Sequence, residues 1–176
     1  MLIGISDSTG LKFARDIKEH WEKKHEVRYE IGASEHIAQW ADLYYIDWWD
    51  NNIHYLWNWY LEHSKAKKPK FWVRVIDWDV WVRGVRNQQM VDFVDYFITI
   101  ASHIQKWLEQ EKDDETGKLI DWQGKLKLIK PGVNLEKFTL KTKKTDGYQI
   151  GMVLGDVWWP KNHMAGLDIF TTLLTI

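Results

Sequence analysis

"MLIGISDSTGLKFA", residues 1–14, sets out the pattern of the whole chain. An apolar run ends in the turn residues Asp7-Ser8-Thr9-Gly10, after which Leu11, Ala14, Ile17 and Trp21 fall on one helical face. The same succession recurs downstream. "VRYEI" (27–31) leads to "GASEHIAQWA" (32–41), and "DLYYID" (42–47) runs into "WWDNNIHYLWNWYLEHSK" (48–65), where Ile53, Leu56, Trp57, Tyr60 and Leu61 form an apolar stripe. "KFWVRVID" (70–77), "YFITIA" (96–101) and "KLKLIK" (125–130) are three further strand-like runs. The second of these precedes Ser102-His103-Ile104-Gln105, which has the spacing of a capping box. Runs that are mostly apolar, rather than strictly alternating, suit strands covered on both faces, and the intervening helices supply that cover. The spacing therefore predicts an α/β fold with a doubly wound parallel sheet of about six strands.

Composition narrows the partners. The 24 basic residues balance 25 acidic ones, so no global field holds nucleic acid or an anionic membrane. The absence of cysteine excludes disulfides, thiolate metal sites and a cysteine nucleophile. No apolar run approaches the roughly 20 residues of a membrane span, and "MLIGI" is too short for a signal peptide, so a cytoplasmic location is expected. The 13 tryptophans are the unusual feature. Trp21, Trp57 and Trp107 lie on helical stripes and are expected in the core, whereas Trp48, Trp49, Trp78, Trp81, Trp158 and Trp159 fall beyond strand ends, where a cleft forms. "EKDDETGKLIDWQGK" (111–125) is charged and glycine-containing, and reads as an exposed loop or hairpin excursion.

Near the end the pattern starts again. "LIKPGVNLEKF" (128–138) closes the sixth strand and turn, "KTKKTDG" (141–147) has linker composition, and "YQIGMVLGDVWWPKNHMAGLDIF" (148–170) is a fresh strand, loop and helix. We read residues 1–140 as one Rossmann-like domain, 141–147 as a linker and 148–176 as the first βα unit of a second domain. The apolar side chains Ile150, Met152, Leu154, Leu167, Ile169, Phe170, Leu173 and Leu174 are expected to seek cover, against the first domain or against a second copy in a homodimer.

This arrangement resembles the GT-B glycosyltransferases, in particular the large retaining family that uses nucleotide-sugars. "LIKPGVNLEKF" is similar to the family's "IPNGVDLEKF" before the interdomain linker, with Gly132, Val133, Leu135, Glu136, Lys137 and Phe138 matching. "KPKFWVRVIDWDVW" (68–81) is similar to its "KPVVVRLHRYE" strand end through Lys68, Pro69, Arg74 and Asp79, and Lys161 matches a lysine of its donor domain. Ile76 stands where the family often has a histidine, and Asp156 where it has a diphosphate-binding arginine. The glutamate pair that grips the donor lies further along in the family than residue 176. The resemblance thus implies an acceptor-side domain and the start of a donor domain, inactive alone, with a nucleotide-sugar donor, a carbohydrate or other hydroxyl acceptor, and no resident cofactor.

In a doubly wound sheet ligands bind beyond the carboxyl ends of the strands. Ser8, Thr9 and Gly10 offer N–H groups and hydroxyls there, for an anion or simply for a helix cap. Asp47 and Asp50 bracket Trp48 and Trp49, and Asp77 and Asp79 bracket Trp78. Carboxylates accept hydroxyl hydrogen bonds while aromatic faces cover the apolar face of a sugar. Helix capping by Asp50, or pairing of these acids with Arg83 or Arg86, accounts for the same residues without a ligand. Asp77 and Asp79, and also Asp47, are candidate general bases for an acceptor hydroxyl, with Trp78, Arg83 and Lys161 as further binding candidates. The seven histidines show no metal-ligand spacing. Two other functions fit: "DSTGLK" (7–12) is similar to the flavodoxin phosphate loop, and a non-catalytic carbohydrate-binding domain would need only the cleft.

Overall fold

The computed structural model describes residues 1–10, 14–49, 51–76 and 85–132. Met1–Gly132 form one compact unit. The expected linker and second βα unit, with Lys161 and Asp156, lie outside the described residues. The elements are β1 (Leu2–Asp7), α1 (Arg15–Trp21), β2 (Glu26–Glu30), α2 (Glu35–Trp40), β3 (Leu43–Asp47), α3 (Asn51–Glu62), β4 (Lys70–Val75), α4 (Gln88–Phe93), β5 (Tyr96–Thr99), α5 (Ser102–Leu108) and β6 (Leu126–Leu128). The six strands form one sheet in the order β2-β1-β3-β4-β5-β6, and every pairing is parallel. The expected doubly wound, Rossmann-like sheet is present. Among the described residues no helix is long and apolar enough to cross a membrane.

Each face of the sheet builds its own core. On one face Tyr44, Ile46, Phe71, Val73, Val75 and Phe97 pack with Ala38, Ile53, Leu56, Tyr60, Met90, Val91, Ile104 and Leu108 of the helices. On the other, Ile3, Ile5, Leu43, Tyr45 and Ile98 meet Ala14, Ile17 and Trp21, with the Trp21 and Tyr45 rings edge to face at 5.7 Å. Strand alternation explains the division, since successive side chains point to opposite faces. Gly4 lies opposite Tyr44 in the β1–β3 ladder, and a Cβ there would sit 2.2 Å from the buried Tyr44 ring. The gap that glycine leaves is filled by tyrosine. Trp57 and Trp107 are half-buried against the first core, as the helical spacing suggests.

One local reading needs correction and another needs extending. Ser102 is the first residue of α5 rather than its cap; the cap position is Ala101, without a side-chain bond, and the Gln105 amide donates to Glu109 at 3.0 Å. Side-chain caps are instead supplied by Ser34 at α2 and Asn87 at α4, whose oxygens accept from the N–H groups of Ile37 and Met90 at 3.4 and 3.0 Å. The charged stretch 111–125 is the expected hairpin excursion and is mostly exposed, but it is also anchored. It closes on itself through a bridge between Lys112 and Leu119, and it contributes Ile120 and Trp122 to the core. The carboxylate of Asp113, itself buried, accepts from the Thr116 N–H and hydroxyl at 2.8 Å each and from the Gln88 N–H at 2.9 Å, which ties the stretch to the start of α4. Those hydrogen bonds, led by the one from Gln88, hold its carboxyl below the usual aspartate range.

Candidate functional site

The strand order reverses direction between β1 and β3, because α1 carries the chain to β2 on one side and the next crossover carries it back past β1 to β3. A crevice opens at the carboxyl ends of two strands placed this way. Both strands end in aspartate, and the register sets Asp7 directly beside Asp47. On the next strand Arg74 is the register partner of Asp47. The sheet itself therefore lines up two carboxylates and a guanidinium.

Asp47 is fully engaged. Its Oδ1 accepts the Tyr45 phenol at 2.9 Å and lies 2.5 Å from Arg74 Nε, while its Oδ2 accepts Arg74 Nη2 at 2.9 Å. Burial pushes the Asp47 carboxyl above the usual aspartate range; the Arg74 guanidinium opposes that rise and the neighbouring Asp7 adds to it. The Tyr45 phenol is pushed well up, first by burial and then by the Asp47 charge. Asp7, also buried, behaves differently. Its Oδ1 accepts the Thr9 N–H at 2.7 Å and the Thr9 hydroxyl at 2.5 Å, but its Oδ2 is buried with no hydrogen-bond partner. An unsatisfied buried acceptor of this kind costs at least about 1–3 kcal/mol, so it is retained only where something else offsets it.

The two tryptophans after Asp47 part company. Trp48 is half-buried with φ of 120°, a backbone conformation that costs roughly 1–3 kcal/mol for a residue with a side chain and gathers at functional sites. Trp49, expected in the cleft, turns into the core at 2% exposure and packs on Phe97 with ring centroids 5.5 Å apart. In the loop after β1, Ser8 and Gly10 are exposed, Gly10 at φ of 76°, and both Thr9 donors go to Asp7. That spends on a carboxylate two of the donors an anion would use. Arg86 pairs with Glu111 at 3.0 Å rather than with a strand-end acid. Asp50, Asp77, Trp78, Asp79 and Arg83 lie outside the described residues. Among the described residues no group of three or more histidines or carboxylates is arranged to hold a metal.

Asp7 is a site residue that sequence reasoning did not select, and Arg74 entered there only through the family resemblance. The signal was available in the parallel endings "ISD" and "YID", each an apolar run stopped by aspartate. No family model matches the chain, and no curated protein or solved structure shows significant similarity to it.

Proposed function

We propose that this chain provides the acceptor-side domain of a glycosyltransferase, which moves a sugar from a nucleotide-sugar to a hydroxyl of a carbohydrate acceptor held at the carboxyl ends of β1 and β3. The observation that carries this reading is the pairing of buried aspartates with a strained, half-buried Trp48 at the point where the strand order reverses. Arg74 and Tyr45 fix Asp47, which holds the floor of the crevice rigid. Trp48 presents an aromatic surface to the apolar face of a pyranose, and Asp7 has a buried oxygen that no donor of the chain occupies. In this reading catalysis rests on positioning the acceptor against the donor. Asp77 and Asp79, in the sequence after β4, are the proposed general bases, with Trp78 and Arg83 as proposed binding residues and Lys161 serving the donor.

The flavodoxin-like alternative draws support from the strand order, since 2-1-3-4-5 is also the order of that fold. The use of both Thr9 donors by Asp7 weighs against it, because the loop then meets a phosphate with a carboxylate. The experiment is saturation-transfer NMR with a panel of disaccharides. Saturation of the sugar ring protons is expected, with Trp48→Ala weakening binding by about tenfold. A flavin absorption band in the purified protein, or no saturation of any sugar, would overturn the proposal.

A further inference from the structure

We propose that the carboxyl end of β1 takes the ammonium group of an amino sugar, with Asp7 Oδ2 as its acceptor. This rests on the carbohydrate reading above and narrows it to a substrate class. At this edge the described residues place two buried carboxylates, Asp7 and Asp47, beside a single guanidinium, Arg74, which is committed to Asp47. The oxygens of Asp47 already receive Tyr45 and Arg74, so the unmatched acceptor is Asp7 Oδ2. Buried charges persist when paired with an opposite charge.

The ligand chemistry follows from that imbalance. A phosphate or carboxylate would add like charge. A neutral hydroxyl would supply one hydrogen bond and leave the charge uncompensated. An ammonium supplies both, in a charge-assisted bond roughly twice as strong as a neutral one. Asp7 is followed in sequence by the exposed Ser8.

The test is a chemical-shift titration of the full ¹⁵N-labelled chain with glucosamine hydrochloride and with glucose, at matched sodium chloride. Glucosamine is expected to move the Asp7 and Thr9 amides and to saturate at a concentration at least about tenfold lower than glucose. Asp7→Asn keeps an oxygen for Thr9 and removes the charge. It should cost glucosamine about tenfold in affinity and cost glucose, which gives Asp7 only a neutral hydrogen bond, markedly less. Equal binding of the two sugars to the wild-type chain, or indifference of glucosamine to Asp7→Asn, overturns the ammonium assignment while the carbohydrate reading stands. If neither sugar moves these amides, both fall. The wild-type comparison decides the matter even if the variant fails to fold.

Discussion

Arg74→Met is expected to destabilise the fold by about 3–5 kcal/mol at neutral pH, because it removes one partner of a buried ion pair and strands the other. The Asp47 side chain is fully buried and that of Arg74 only 16% exposed, so water replaces little of what is lost. The pH dependence distinguishes this from lost packing. Burial already raises the Asp47 carboxyl, and Arg74 is the strongest influence holding it down, so the variant's carboxyl must rise further. A carboxyl raised above its unfolded value contributes stability that is present below the unfolded pKa and lost as pH rises through the folded one. The penalty of Arg74→Met should therefore shrink in acid and grow toward neutrality. Urea unfolding of wild type, Arg74→Met and Asp47→Leu/Arg74→Met across that range would check it, with the double variant recovering most of the loss. A pH-independent penalty would mean that Arg74 acts through packing alone.

Trp122→Ala should cost a similar amount, about 3–5 kcal/mol. The Trp122 ring meets Phe97 edge to face at 5.2 Å, and its Nε1 donates to the Leu108 carbonyl at 2.9 Å, closing the end of α5. Its removal opens a cavity beside Phe97 and leaves that carbonyl without its indole partner. Denaturant unfolding that shows a loss below about 1 kcal/mol would separate the 111–125 stretch from the cooperative core.

The sheet was legible because its strands are apolar runs bounded by turn residues, and their count and parallel pairing follow from helices placed between them. Even the tight point at Gly4 is visible as a lone glycine inside "MLIGIS", although the ring that fills it, Tyr44, becomes its neighbour only through the β1–β3 register. What composition concealed was long-range. Stretch 111–125 looks like solvated loop because most of its residues are charged or polar, yet Ile120 and Trp122 anchor it. The site was half legible for the same reason. Asp47 and Trp48 stood out locally, but which of two adjacent tryptophans turns inward depends on the backbone at Trp48, and the isolation of Asp7 Oδ2 emerges only once Arg74 is seen to serve Asp47 instead.

The central claim is that a carbohydrate occupies the carboxyl ends of β1 and β3. An amide chemical-shift map of the full chain, recorded with saturating maltose, cellobiose and lactose in turn, tests it most directly. The account predicts that at least one disaccharide perturbs a contiguous set spanning Asp7–Gly10 and Asp47–Trp48. Perturbation confined to the groove between α3 and α4, around Trp57, Lys68 and Phe93, or absent for all three sugars, would contradict it.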